Sequence, residues 1–244
     1  MTTVVTGGTV STDGSYTVRT FTESGTLTVS GGTLVDVEYL LVAGGGEAAF
    51  PTSSYVAGGG AGGLLTGNIT INSGSYTVGV GNIGNNSSFL NMVAIGGGQG
   101  GFYGNGSAGG SGGGGGVLGT THINFNNFIG GDSVEGQGYP GGAPFAGGYP
   151  PSGPGGGGGA NGPGGTGTAD SCGGAGGIGY PSTITGTLAY YSTGGSGLGP
   201  NGIGVNRPGY TNYGAGGGYD LSPENYYNRL SAQPGVLILR YATP

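Results

Sequence analysis

Gly-Gly-Gly-Gly-Gly at 112–116, the same five at 155–159, Gly-Gly-Ala-Gly-Gly at 173–177 and Gly-Ala-Gly-Gly-Gly at 214–218 punctuate one field from Gly96 to Gly218. A matching piece, Gly-Gly-Gly-Ala-Gly-Gly, stands earlier at 58–63. No glycine can act as acid, base, nucleophile or metal ligand, so these runs matter as backbone. Isolated polyglycine is a flexible coil, because glycine loses the most conformational freedom on ordering. A polyproline-II helix offers another state: three residues per turn, with N–H and C=O groups pointing outward. Bundled helices of this kind satisfy those groups on one another. Neighbours without Cβ can then pack closely, and Cα–H···O contacts add a weak further term. Runs of three to six glycines, separated by insertions such as Phe102-Tyr103, 118–129 and 180–192, fit such a bundle with loops at its ends.

Composition alone points elsewhere. Glycine supplies 70 of 244 residues, a share that without a collagen period usually marks low complexity. Disordered chains, however, combine low hydrophobicity with many charged and polar residues. Here 6 % of residues are charged, 34 % are hydrophobic and lysine is absent. With only Arg19, Arg207, Arg229 and Arg240 and a net charge of −6, there is no basic patch for nucleic acid or for an anionic membrane surface. The single cysteine, Cys172, excludes an internal disulfide framework. The start Met-Thr-Thr-Val-Val has no charged n-region followed by a long apolar stretch, so a chain made in the cytoplasm without an export signal is expected.

Outside the glycine field the pattern is that of strands. Tyr16 to Thr22, Thr26 to Val29 and Val35 to Val42 alternate or run apolar, with turns at Asp13-Gly14, Ser24-Gly25 and Gly31-Gly32. Asn68 to Ile71, Ser75 to Val80 and Ser88 to Ile95 continue the series. Gly235 to Tyr241 is a continuous apolar run, best explained as a strand buried on both faces and paired with Val37 to Val42. Only Pro223 to Leu230 has room for one or two helical turns. The expectation is an all-β fold: a small antiparallel β-sandwich formed by the N- and C-terminal strands, with an inserted bundle of glycine-rich polyproline-II helices. Residues 1–95 make the β-rich part, 96–218 the glycine-rich bundle with variable loops, and 219–244 a connector and closing strand.

The chemistry of catalysis is thin. His122, the only histidine, sits in a loop-like segment with no orienting acid beside it, and Cys172 reads as a small residue packed beside a glycine helix. Asp132 and Glu135 are neighbours without further context. Phosphate-loop patterns arise by chance in so much glycine, and without lysine none has the Gly-Lys-Ser/Thr core. The expectation is therefore a protein that is not an enzyme and holds no cofactor or metal. Tyrosine is the positive signal, with 16 against 7 phenylalanines and no tryptophan. Tyr139, Tyr149, Tyr180, Tyr190, Tyr191, Tyr210 and Tyr213, with Asn126 and Asn127, are candidate receptor contacts, since Tyr beside Gly, Ser and Asn gives rigid amphipathic contact area. The other role open to them is packing at the bundle ends or between subunits. Gly114, Gly157, Gly174, Gly177 and Gly216 are the expected lattice positions.

Three blocks carry a resemblance. Phe21-Thr-Glu-Ser-Gly-Thr-Leu-Thr-Val29 with Val37-Glu-Tyr-Leu-Leu-Val-Ala-Gly-Gly-Gly46 looks like the opening of the glycine-rich domain family seen in phage tail and fibre proteins. Gly58-Gly-Gly-Ala-Gly-Gly-Leu64 followed by Gly74-Ser-Tyr-Thr-Val-Gly-Val-Gly81 fits its second block, and Gly235-Val-Leu-Ile-Leu-Arg-Tyr-Ala242 its closing strand. In architecture this is similar to the polyglycine-II sandwich adhesins at the tail-fibre tips of T-even-like phages. The resemblance implies a virion or surface binding module, and the expectation is a virion protein with other virion proteins as partners, a homotrimer as one possible assembly, and loops that meet a host surface glycan or outer-surface protein. A capsid decoration or fibre building block, or a self-assembling filament subunit, are the alternatives it leaves open.

Overall fold

The computed structural model describes residues 2–49, 55–117, 128–145, 153–200, 202–204, 208–221 and 227–244. The N-terminal half gives nine strands: β1 (Val4–Thr6), β2 (Thr9–Asp13), β3 (Tyr16–Phe21), β4 (Gly25–Ser30), β5 (Leu34–Val42), β6 (Leu64–Ile71), β7 (Gly74–Gly79), β8 (Ser87–Phe89) and β9 (Met92–Ala94). Three short pairs follow within or beside the glycine runs: β10 (Tyr180–Ser182) with β11 (Ala189–Tyr191), β12 (Leu198–Gly199) with β13 (Gly202–Ile203), and β14 (Gly218–Leu221) with β15 (Tyr227–Leu230). Strand β16 (Val236–Ala242) closes the chain. Among the described residues there is no helix. The fold is all-β and its sheets are antiparallel.

Two sheets of five strands hold the ends of the chain together, in the orders β1-β4-β7-β8-β9 and β2-β3-β16-β5-β6. Strand β16 lies between β3 and β5, with Leu237 opposite Phe21 and Val236 opposite Val42. This is the pairing with 37–42 that the apolar run anticipates. The run is uninterrupted because both its faces are covered. Leu237, Leu239 and Tyr241 join Leu27, Val29, Val78 and Phe89 of the other sheet in one buried cluster. Val236 and Ile238 face the opposite way, against Val18, Leu40, Ile184 and Tyr191, so the β10–β11 hairpin roofs the outer face of this sheet. Each fully buried Leu or Phe contributes about 1.5–3 kcal/mol, which makes the inter-sheet cluster the main apolar store of the molecule.

The crossing from β1 to β2 moves the chain from one sheet to the other. Gly7 and Gly8 make it with φ of 101° and 64°, where a Cβ would also meet the backbone of Thr26 and Thr20. Arg19, 8 % exposed, holds this corner: Nε donates to the Tyr241 hydroxyl at 2.8 Å and the guanidinium donates to the carbonyls of Gly7 and Val5. A buried cation is tolerated where each N–H finds an acceptor.

Two local expectations are corrected, and one strand is added that the sequence pattern does not announce. The run Ser88 to Ile95 is not one strand but the hairpin β8–β9, folded at Leu90-Asn91 with Leu90 at a φ of 52°. Its apolar continuity hid a turn that has no glycine. Residues Thr9–Asp13 form β2 although all but Asp13 are exposed, so no alternation could announce them. Within Pro223 to Leu230, residues Tyr227–Leu230 are a strand paired with β14, because cross-strand pairing with Gly218–Leu221 overrides local helix preference.

Candidate binding surface

Outside the two sheets the glycine runs bond to one another with a regular pattern. Along 58–63, Gly58 and Ala61 donate to Gly155 and Gly158, Gly59 and Gly62 to Gly217 and Gly214, and Gly60 and Gly63 to Gly98 and Ile95. The same run accepts from Gly114 and Ser111, from Gly46 and Ala43, and from Gly195. A neighbour therefore recurs every third residue, and six segments surround this one. Run 155–159 repeats the pattern, donating to 115 and 112, to 165 and 162, and to 195. Run 111–116 repeats it again, donating to 61 and 58, to 139 and 142, and to 107 and 104. The network draws in 43–46 and 58–63 from the N-terminal part as fully as the runs after residue 96.

Such approach leaves no room for side chains. A Cβ at Gly114 would fall closer than 3.0 Å to Gly155, at Gly157 to Gly59, at Gly174 to Gly165, at Gly177 to Gly159 and at Gly216 to Gly59, each time to backbone atoms. Backbone cannot swing aside as a side chain end can, so replacement there forces runs apart. Gly162, at a turn, differs: its nearest neighbour would be Ile178 at 3.5 Å, an ordinary contact.

The partners also fix where each loop emerges. Gly63, Ile95, Tyr139, Gly159 and Gly214 lie at the end next to the sheets, since Gly63 precedes β6 directly and bonds to Ile95, beside β9. Ala57, Gly101, Gly116, Gly153 and Gly204 lie toward the far end. Tyr139, Tyr180, Tyr190, Tyr191, Tyr210 and Tyr213 thus cluster at the sheet side. Tyr191 is 5 % exposed and packs with Val18, Leu40 and Ile238, while Tyr180 and Tyr213 pack partly against the same cluster. Burial raises the Tyr191 phenol above its ordinary range, against a lowering hydrogen bond with the Thr185 side chain, and the neighbouring Tyr213 adds to the rise. Tyr190 and Tyr210 are half-buried, and the Asn212 side chain donates to the Tyr190 carbonyl at 2.9 Å. Tyr149, Asn126 and Asn127, like His122, lie outside the described residues.

Tyr139 alone among the described candidates is exposed, at 44 %. Its backbone is pinned by Gly159 and Gly112, and its ring borders a depression of about 490 Å³ with Ser133, Glu135 and Ala160. The preceding loop is tied down by Gln137, whose Oε1 accepts from Ile95 N at 2.8 Å and whose Nε2 donates to Val93 O at 3.0 Å. The side-chain amide thereby takes the place of a further strand beside β9. At the far end, the rings of Phe102 and Tyr103 meet at a tilt with centroids 4.1 Å apart and are both exposed. Their signal in the sequence was only a two-residue aromatic insertion between runs. Cys172 is half-buried beside the run that begins at Gly173, and among the described residues no three of His, Cys, Asp and Glu gather to hold a metal.

A sequence pattern described as a glycine-rich domain matches residues 20–242. The chain belongs to the glycine-rich domain family. No curated protein matches it. The span shared with other glycine-rich domains starts at the end of β3 and runs through β16, so it takes in the hydrogen-bonded runs and the pairing of β16 with β5 within one sheet. Strands β1 and β2 lie outside it.

Proposed function

We propose that this glycine-rich domain is a phage virion structural protein, a tail-fibre or tail-tip adhesin that presents loops to a host surface glycan or outer-surface protein, without catalysis. The observation that carries the reading is the recurrence of hydrogen-bond partners every third residue along 58–63, 111–116 and 155–159. Three residues is one turn of a polyproline-II helix, and six neighbours per run is the coordination of a hexagonal bundle. A β-sandwich at one end and a polyproline-II glycine bundle beyond it make a rigid rod whose loops can vary freely. In this reading the exposed pair Phe102 and Tyr103 at the far end, and Tyr139 nearer the sheets, supply the aromatic contact area that loop-based recognition uses.

The test is binding of the purified protein to host cells, before and after exchange of the far-end loops. Binding lost on exchange, with melting unchanged, supports the adhesin. Absence of cell binding by a protein firmly held in the virion supports a second reading, a fibre or capsid building block. The burial of Tyr191 and the partial burial of Tyr180 and Tyr213 favour that second reading, since tyrosines so placed pack the scaffold.

A further inference from the structure

A sheet edge is a row of unpaired N–H and C=O groups, and proteins that stay apart usually blunt each one. Three of the four edges here are blunted. The outer carbonyls of β1, at Val5 and its neighbour Gly7, are taken by the Arg19 guanidinium. The outer side of β9 is taken by the Gln137 side chain at Val93 and Ile95. Strand β6 is capped at its start by the Gln137 carbonyl, which accepts from Leu64 N, and carries Gly67 in its middle, where a missing side chain weakens the strand. Among the described residues strand β2 has no such device. It is regular over Thr9–Asp13, contains no proline or lysine, and leaves Val10 57 % exposed.

We infer that β2 pairs with β2 of a second copy of this chain, joining two five-stranded sheets into one continuous sheet about a two-fold axis. The hydrogen-bond phase fits. Asp13 and Tyr16 close a two-residue hairpin, so Asp13, Ser11 and Thr9 bond toward β3 while the N–H and C=O of Val10 and Thr12 point outward. Antiparallel pairing centred on Ser11 sets Val10 opposite Thr12 of the other copy and the reverse, which gives two reciprocal hydrogen-bonded pairs. An antiparallel pair centred on one residue is isologous, so both copies use the same edge. Charge does not oppose it: Asp13, the only ionisable residue of β2, is already bound by Arg240 at 3.0 Å. A foreign strand would need no such symmetry, and the second copy is the partner whose edge matches in length, phase and charge. The strand lies outside the span shared with the family, so the contact belongs to what this chain adds to the common scaffold.

Sedimentation velocity of the full chain over a concentration series tests this. The expected species is a dimer, twice the 23.2 kDa of one chain. Val10→Lys places a charge on the edge, and Thr12→Pro removes an outward N–H that β3 does not use. Each should weaken dimerisation by about tenfold or more while leaving the melting temperature close to that of the parent. Thr66→Lys, on β6, should leave the dimer intact. A chain that is monomeric or trimeric throughout the series overturns the inference, as does a dimer that survives both β2 variants or is lost equally with Thr66→Lys. Should one β2 variant fail to fold, the other decides.

Discussion

In the two sheets, each strand bonds to neighbours in one plane, and side chains above and below that plane supply the cohesion. In the glycine runs the bonds radiate around the segment, three residues to a turn of partners, and side chains have nowhere to stand. Burial in the sheets is counted in Leu, Val and Phe; burial in the runs is almost wholly peptide. Burying a peptide group is tolerable only when it is hydrogen-bonded, since an unpaired one costs about 1–3 kcal/mol. The sheets can therefore absorb a lost methyl group, whereas the runs cannot absorb an added one.

Gly157→Val is the sharpest way to break this contrast. Its Cβ would press on the Gly59 backbone from within a fully surrounded run, so the expected loss is more than about 4 kcal/mol, seen as failure to melt cooperatively or to accumulate. Gly162→Ala is the companion measurement. With open space beside Ile178, it should change stability by less than about 1 kcal/mol. Equal melting of Gly157→Val and the parent would remove the backbone from its role here.

The sheet side has a smaller answer. Leu239→Ala deletes a fully buried side chain of the inter-sheet cluster and should cost about 2–5 kcal/mol in thermal or denaturant unfolding. The joint between the regions is weaker again. Gln137→Ala removes both side-chain bonds to β9 and should cost about 1–3 kcal/mol, with the Ile95 amide losing protection from hydrogen exchange first. Unchanged exchange at Ile95 would show that the loop is held by other contacts.

The smallest effect is on pH. Burial lifts the Tyr191 phenol above its ordinary value of 10.0 in the folded chain. As pH rises past that value the unfolded chain ionises first, so this tyrosine's contribution is whole below pH 10 and is lost above it. Tyr191→Phe should therefore flatten the decline of melting temperature between neutral and strongly alkaline pH. An identical decline in both proteins would assign the alkaline loss to other groups.

Much of the β-structure could be read in advance because apolar side chains mark it. The run Val236 to Tyr241 told of two covered faces, and Val37 to Val42 of a partner for it. Where side chains carried no mark, reading failed. Strand β2 is nearly all exposed, the turn at Leu90-Asn91 lacks glycine, and β15 exists only because β14 lies beside it. The candidate tyrosines illustrate a deeper gap. Tyr139 and Tyr191 look alike as tyrosines close to glycine, yet one borders an open depression and the other, on β11, is packed against β16. Gln137 gave no signal, since its value depends on Val93 and Ile95 arriving at hydrogen-bond distance.

By itself the sequence determined that the chain is all-β where it is apolar and backbone-driven where it is glycine. Periodicity and the absence of Cβ are local properties, written residue by residue. Tertiary structure decided which run neighbours which, which tyrosines are buried, and which sheet edges Arg19 and Gln137 cover. A glycine run presents the same face to every other glycine run, so nothing within it selects a partner. The order of the runs comes from the sheets and hairpins at their ends, which fix where each run begins and the direction in which it travels.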